Sequence, residues 1–130
     1  MNDFKVMLID DDEVFNFISV HMMKTYNFAS HVDVYLSPNE AVKKLTELPP
    51  DEFPDCIFLD LDMPSMDGWD FLDAFKNLHL IHSQRCAVFI LTSSVSDSDT
   101  ARILKYPEIC ELISKPLSAE KLNEIKLQYF

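Results

Sequence analysis

The sequence predicts an α/β protein in which five parallel strands alternate with five helices in one domain. Two observations lead to this class. Short apolar runs recur five times along the chain, and each is too short to form a helix. Segments with a helical apolar repeat lie between and after these runs. Repeated strand–helix units with right-handed crossovers form a parallel sheet covered by helices on both faces. We therefore expect a doubly wound (βα)5 fold.

The five expected strands are the apolar runs themselves. They lie at Val6–Ile9, Val32–Leu36, Cys56–Leu59, Ala87–Leu91 and Ile109–Ile113. The first, third and fourth runs are apolar throughout and do not alternate with polar residues. Continuous apolar runs are typical of strands that are buried on both faces, as in a parallel sheet.

The helices are predicted from apolar residues at helical spacing and from their capping residues. In the first helix, Phe15, Ile18 and Met22 are expected to share the inner face. Ser37 and Ser118 are expected N-caps of the second and fifth helices. The fourth helix is expected at Asp97–Tyr106. The inner faces of the second, third and fifth helices are expected, in that order, at Ala41, Leu45 and Leu48, at Phe71, Phe75 and Leu78, and at Leu122, Ile125 and Tyr129.

Composition narrows the functional classes. A chain of 130 residues suits one domain, and its 22 acidic and 11 basic residues give a net charge of −11. Such an excess of acid disfavours binding to nucleic acid or to an anionic membrane. Three dispersed cysteines suggest neither a disulfide framework nor a zinc site. The sequence begins without a signal peptide and lacks an apolar run of membrane-spanning length, so the expected location is the cytoplasm.

Polar side chains follow the expected strands at their carboxyl ends, where open parallel sheets bind ligands. Asp10 and Asp11 follow the first strand, Asp60 the third, Thr92 the fourth and Lys115 the fifth. Clustered carboxylates repel one another and favour a bound cation, and oxygen ligands suit Mg²⁺. A carboxylate beside Mg²⁺ can act as a nucleophile toward a phosphoryl group, assisted by an ammonium and a hydroxyl group.

Four segments together resemble the receiver domains of two-component response regulators. They are LIDDDE at 8–13, FLDLDMPSMDGWDFL at 58–72, ILTSS at 90–94 and SKPLS at 114–118. The resemblance covers essentially the whole chain, and the layout is that of stand-alone chemotaxis response regulators. It implies a flavodoxin-like sheet with strand order 2-1-3-4-5. In that order the reversal point lies between the first and third strands, beside the acidic residues.

The resemblance assigns the acidic residues their roles. Asp60 corresponds to the residue that accepts the phosphoryl group. Asp10 and Asp11 correspond to the acidic pair that holds Mg²⁺, together with Asp60 and the backbone carbonyl of Asp62.

The resemblance also assigns roles to the residues at the family's other motif positions. Thr92 corresponds to the switch hydroxyl and Lys115 to the lysine that pairs with the phosphoryl group. Pro116 follows in the position of the family's cis peptide bond. Leu112 stands where the family usually has a tyrosine or phenylalanine whose ring turns inward on activation. We therefore expect this chain to depart from the usual coupling between the hydroxyl and the ring.

Several side chains have a less specific interpretation. Asp62 and Ser94 each lie two residues beyond a site residue, where the family tunes hydrolysis of the acyl phosphate, so their substitution should alter phosphoryl lifetime. Trp69 and Tyr106 could contact a partner or could pack between helices.

The function implied by the resemblance is that of a phosphorelay response regulator. Asp60 would accept a phosphoryl group from a sensor histidine kinase or a histidine phosphotransfer protein. A downstream protein that the sequence does not identify would then recognise a changed surface. Residues 1–130 are expected to form a single receiver domain without an output domain. It would not be an enzyme beyond catalysing its own phosphorylation and dephosphorylation.

Two alternatives remain open at this stage. A receiver fold could serve as a docking module uncoupled from phosphorylation, which the leucine at position 112 would favour. The Asp60-Leu61-Asp62 sequence also matches the nucleophile pair of haloacid-dehalogenase-type phosphatases, although Met63-Pro64 does not fit that motif.

Overall fold

The structure, a computed structural model, describes residues 4–61, 68–82, 86–93 and 97–130. Its strands are β1 Lys5–Ile9, β2 His31–Tyr35, β3 Cys56–Asp60, β4 Ala87–Thr92 and β5 Ile109–Ser114. Its helices are α1 Glu13–Thr25, α2 Pro38–Glu47, α3 Gly68–His82, α4 Asp97–Arg102 and α5 Ala119–Tyr129. Short 3₁₀ turns lie at Pro50–Glu52 and Ile103–Lys105. All five predicted strands are present, and their bounds differ from the predicted ones by a single residue at some ends.

The sheet is parallel throughout and has the order β2-β1-β3-β4-β5, which confirms the predicted topology. The order reverses between β1 and β3, where Ile9 lies opposite Leu59. On the other side of β3, Asp60 lies opposite Leu91 of β4. The carboxyl ends of β1, β3 and β4 therefore meet at one edge of the sheet.

The core has two layers because helices cover both faces of the sheet. On one face, Met7, Ile57 and Val88 pack with residues of α2 and α3. On the other face, Leu8 and Phe58 pack with residues of α1 and α5. Every residue of β3 is buried, as are all but the first residues of β1 and β4. This confirms the prediction from the continuous apolar runs.

The predicted inner face of α1 is partly wrong. Ile18 is 54% exposed, whereas the buried residues of this helix are Asn16, Ser19 and Met23. Two of these residues are polar, so the apolar pattern could not identify them. The Asn16 amide donates a hydrogen bond to the backbone carbonyl of Asp10, and this bond turns a polar side of the helix toward the strand end.

The fourth helix is shorter than predicted. It ends at Arg102 and continues as the 3₁₀ turn Ile103–Lys105. The Tyr106 N–H donates to the Ile103 carbonyl at 3.0 Å, which is the i to i−3 bond of a 3₁₀ turn. Since Pro107 follows directly, the α-helical hydrogen-bond ladder cannot continue through this segment.

Both capping predictions are confirmed, whereas the predicted inner-face residue Leu78 lies outside the residues whose side chains the structure describes. Ser37 caps α2 by accepting from the Asn39 N–H at 3.2 Å, and Ser118 caps α5 by accepting from the Lys121 N–H at 3.0 Å. The three cysteines are free, and Cys56 and Cys86 are buried. In the described part of the chain, we find no helix with the length and apolar character needed to cross a membrane.

Gly68 is required by close backbone packing at the start of α3. A Cβ atom there would lie 2.9 Å from the Leu61 Cα and 3.0 Å from the Asp60 carbonyl oxygen. Both are backbone atoms, so neither can rotate away. Glycine thus lets α3 begin against the chain that directly follows Asp60.

We predict that Gly68→Ala destabilises the fold by roughly 1–3 kcal/mol, the usual cost of inserting a methyl group into packed structure. The sign of this stability change is informative, because a glycine-to-alanine change without strain would stabilise the fold by about 0.4–1 kcal/mol. Urea denaturation measures the difference. Asn123→Ala, at an exposed position in α5, is the control and should shift stability by about 0.5 kcal/mol or less. A Gly68→Ala protein as stable as the wild type would contradict the close approach.

Candidate functional site

Asp10 is a buried carboxylate at the end of β1. Its side chain is inaccessible to solvent, with 0% of the residue exposed. The Asp10 N–H donates to the Tyr35 carbonyl at 3.1 Å, which extends the pairing of β1 with β2 by one residue. Carboxylate oxygen Oδ1 accepts the backbone N–H of Asp12 at 2.9 Å. The backbone and the start of α1 therefore fix the orientation of this carboxylate.

Asp10, Asp11 and Asp60 converge as the sequence predicted. One carboxylate oxygen from each lies within 4.8 Å of the others. Asp10 and Asp60 are buried, whereas Asp11 is exposed at the mouth of the cluster. The convergence follows from the topology, since β1 and β3 are neighbours and both run toward this edge. Two like unit charges about 4.8 Å apart repel by roughly 3 kcal/mol at an effective dielectric constant of about 20.

Lys115 supplies positive charge to this cluster. Its Nζ lies 2.7 Å from Asp10 Oδ2 and 3.5 Å from Asp60 Oδ1, and 4.5 Å from the centre of the Phe15 ring. Burial by itself would lower the pKa of Lys115, but the hydrogen bonds and negative charges of Asp10 and Asp60 outweigh burial and raise it. The side chain therefore stays a cation at neutral pH, held between the two buried carboxylates.

Thr92 lies beside Asp60 at the end of β4. The residue is only 1% exposed, and it follows Leu91, which is the register partner of Asp60. The Thr92 carbonyl accepts the N–H of Lys115 at 2.8 Å. This bond ties the end of β4 to the loop that carries the lysine.

The remaining predicted site residues have mixed outcomes. The peptide bond between Lys115 and Pro116 is cis, as the resemblance implied. Leu112 is half-buried and packs against the core layer that contains α2 and α3. Asp62 and Ser94 lie outside the described residues, so their predicted roles are not tested.

Sequence reasoning missed three supporting side chains. Asp12 is the N-cap of α1 and accepts the Phe15 N–H at 3.1 Å, whereas the acidic run had suggested only a cluster of charges. Asn16 donates to the Asp10 carbonyl at 2.8 Å, and the Phe15 ring lies against Lys115. An aspartate directly before a helix is an N-cap signal that could have identified Asp12. The other two contacts depend on how α1 is rotated against the sheet.

The four charged groups leave an excess of negative charge. Counted as three carboxylates and one ammonium group, Asp10, Asp11, Asp60 and Lys115 carry a charge of −2. One divalent cation would balance it. The donor set contains carboxylate oxygens alone, which is the set that Mg²⁺ prefers, and the exposed Asp11 leaves a route of entry. The residues present therefore fit a magnesium ion.

Comparison with known proteins places the chain in a family. The family described as "Response regulator receiver domain" matches residues 6–126. The chain is 29% identical over 126 residues to a hybrid signal transduction histidine kinase of Dictyostelium discoideum, covering 96% of this chain and 7% of that protein. It is 32% identical over 120 residues to a protein-glutamate methylesterase/protein-glutamine glutaminase of Geobacter metallireducens, covering 89% of this chain and 30% of that protein. The chain thus spans a minor part of both relatives.

Solved structures agree with the sequence relatives. A two-component response regulator from Cytophaga hutchinsonii matches with a TM-score of 0.86 and 30% identity, covering 95% of this chain and 94% of that one. The chemotaxis protein CheY4 of Vibrio cholerae has a TM-score of 0.78 at 20% identity, with 99% and 100% of the two chains covered, and that likeness concerns the fold. The chain belongs to the response regulator receiver domain family, whose members act in two-component signalling.

We predict that Lys115→Met destabilises the metal-free protein by about 3 kcal/mol, the lower end of the cost of removing one partner from a buried ion pair. Asp10 would be left buried without its nearest cation. Because the pKa of Lys115 is raised on folding, its stabilising effect is complete below its ordinary pKa of 10.5 and is lost as pH rises through the higher folded value. Urea denaturation in a chelator, repeated across the alkaline range, measures both effects.

Lys121→Met is the matched control. Lys121 pairs with Glu111, but both side chains are 27% exposed, so the loss should be about 1 kcal/mol or less. Equal losses in the two variants would contradict a special role for the buried pair.

Proposed function

We propose that this protein is a response regulator that accepts a phosphoryl group on Asp60. The observation that carries the proposal is the convergence of Asp10, Asp11 and Asp60 within 4.8 Å, with Lys115 bridging the two buried carboxylates. Three carboxylates beside one ammonium group leave an excess of negative charge, which is costly without a further cation. Such an arrangement becomes favourable when a cation and an anionic substrate bind together.

The proposed transfer takes place at a carboxylate oxygen of Asp60. The donor is a phosphohistidine of a sensor histidine kinase or a histidine phosphotransfer protein. The Asp60 oxygen attacks phosphorus, the P–N bond breaks, and its electron pair returns to the imidazole nitrogen, which takes up a proton. Asp60 becomes an acyl phosphate. Hydrolysis of that bond by water returns the carboxylate and releases inorganic phosphate.

Asp10, Asp11 and Asp60 are the residues that would hold Mg²⁺, and the carbonyl of Asp62 is proposed as a further ligand. When bound, the ion supplies positive charge to the phosphoryl oxygens. The chain itself supplies the orientation. Asp10 is fixed by the Asp12 N–H, and Asp60 is fixed as the last residue of a fully buried strand.

Lys115 and Thr92 are proposed to stabilise the transferred group. The Lys115 ammonium group is held 3.5 Å from Asp60 Oδ1, close enough to pair with an oxygen of the phosphoryl group after transfer. The Thr92 hydroxyl would donate to another oxygen. The hydrogen bond between the Lys115 N–H and the Thr92 carbonyl couples these two elements, so a shift at one reaches the other.

The proposal extends to the whole protein. Residues 1–130 would act as a single receiver domain that works as a switch in the cytoplasm and catalyses only its own phosphorylation and dephosphorylation. Phosphorylation would favour one of two surface arrangements, and a separate protein would bind that arrangement. Asp62 and Ser94 are proposed to set the lifetime of the phosphoryl group.

We predict that acetyl phosphate and Mg²⁺ add one phosphoryl group to the wild type and none to Asp60→Asn, because the amide cannot act as the nucleophile. Intact-mass spectrometry measures the product. Asp33→Asn, an exposed change in β2 away from the cluster, is the matched control and should be modified like the wild type.

The same experiment distinguishes the alternatives. An unmodified wild type that also fails to bind beryllofluoride, a phosphoryl mimic, would favour a docking module uncoupled from phosphorylation. Sustained hydrolysis of a phosphoester would favour the phosphatase.

We predict that Mg²⁺ stabilises the folded wild type, by about 2.7 kcal/mol at a concentration 100 times the dissociation constant. Asp11→Asn should reduce this gain, because it removes a carboxylate from the mouth of the cluster while leaving the buried pair intact. Thermal unfolding with and without Mg²⁺ measures the gain. Asp12→Asn removes the same charge one residue later, and asparagine can still cap α1, so its response should match the wild type. If Asp11→Asn and Asp12→Asn respond equally, Asp11 is not a ligand.

A further inference from the structure

Four side chains connect the first turns of α3 to the end of α4. Trp69 and Asp73 lie on α3, Arg102 is the last residue of α4, and Tyr106 follows the 3₁₀ turn. We call these four residues the α3–α4 clasp. They lie outside the acidic cluster, and none of them was assigned a role by the family resemblance.

The contacts within the clasp are of three kinds. The Trp69 and Tyr106 rings have centroids 5.5 Å apart with an interplanar angle of 35°. The Arg102 guanidinium carbon lies 4.4 Å from the Trp69 ring centre, in a cation–π arrangement. The Tyr106 hydroxyl donates to Asp73 Oδ1 at 2.9 Å. Each contact joins α3 to the segment around α4, so all three contacts are between elements and none lies within a single helix.

The two aromatic rings of the clasp are buried. Trp69 is 6% exposed and Tyr106 is 9% exposed, so these rings pack between elements and do not form an open surface for a partner. Burial, followed by the hydrogen bond to Asp73, raises the pKa of Tyr106. The phenol therefore remains a donor over the whole physiological range.

The clasp is connected to the backbone at Asp60 through Gly68. Gly68 packs against the Leu61 Cα and the Asp60 carbonyl with no room for a side chain, and its N–H donates to the Leu61 carbonyl at 3.0 Å. Trp69 is the next residue. Because packed groups cannot be compressed, a displacement of the backbone at residues 60–61 must shift the start of α3 and with it the Trp69 ring.

The clasp also contacts the start of β5, the strand in which Leu112 stands at the position where the family usually has an aromatic residue. The Ile109 N–H donates to the Tyr106 carbonyl at 3.0 Å, at the first residue of that strand. Leu112 packs against the same core layer that contains Trp69 and Tyr106. The Leu112 side chain cannot rotate inward as an aromatic ring would, but the Trp69 and Tyr106 rings lie in this layer next to α4.

Building on the proposed phosphorylation of Asp60, we propose that the α3–α4 clasp transmits the change at Asp60 to α4 and the 3₁₀ turn Ile103–Lys105. Trp69 is the first part of this connection, and Arg102 and Tyr106 are the receiving side. The segment 97–106 is then a surface whose dynamics depend on phosphorylation. Trp69, Arg102 and Tyr106 are positioning residues, since none of them touches the phosphoryl group.

Hydrogen–deuterium exchange with mass spectrometry tests the proposal. Exchange of segment 97–106 is compared with and without Mg²⁺ and beryllofluoride, in the full chain. The wild type should show a change that Asp60→Asn lacks. Trp69→Leu should lose most of this change, because it removes the ring that joins α3 to Arg102 and Tyr106. Tyr106→Phe, which keeps the ring, and the exposed Arg102→Gln should also reduce it, and both provide a test should Trp69→Leu fail to fold.

Phe53→Leu is the matched control. It removes a ring that stacks on Phe75 in the same core layer but belongs to no clasp contact, so its exchange response should equal that of the wild type. Acetyl phosphate labelling of each variant, followed by intact mass, separates the two proposals. If the variants are phosphorylated like the wild type and keep most of its exchange response, the clasp does not carry the signal. If the wild type itself accepts no phosphoryl group, the proposed function fails and this inference with it.

Discussion

The burial of Asp10 beside Asp60 is the constraint on which the rest of the site depends. Two carboxylates at the ends of neighbouring buried strands have lost most of their hydration, and such charges are costly unless they are paired. Lys115 compensates for part of this cost by lying 2.7 Å from one carboxylate and 3.5 Å from the other. The remaining negative charge favours a bound divalent cation.

The backbone around the cluster holds these charges in place. The Asp12 N–H fixes the Asp10 carboxylate, Asn16 binds the Asp10 carbonyl, and the Thr92 carbonyl binds the Lys115 N–H. Each of these bonds uses a group at the end of a strand or the start of a helix. The parallel sheet therefore positions the site, and the strand ends together with the start of α1 supply the donors and acceptors that orient it.

Gly68 connects this site to the remainder of the fold. The start of α3 packs on the Asp60–Leu61 backbone, and the ring of the next residue, Trp69, packs at a tilt against the Tyr106 ring beyond α4. A buried carboxylate, the start of a helix and an aromatic contact therefore follow one another closely in this part of the fold.

The sequence by itself determined the order of the elements and the composition of the site. Continuous apolar runs identified β1, β3 and β4, and the acids at positions 10, 11 and 60 could be placed at strand ends because parallel strands share a polarity. Periodicity failed at Ile18, since the inner face of α1 is polar where Asn16 binds the Asp10 carbonyl, and no hydrophobic pattern encodes such a bond.

Tertiary structure alone decided which groups touch. The 2.7 Å pairing of Lys115 with Asp10 and the packing of the Trp69 ring against the Tyr106 ring join residues that are distant in sequence. Such contacts depend on helix rotation and on sheet register, which are set by the packing of the whole core and not by any local segment.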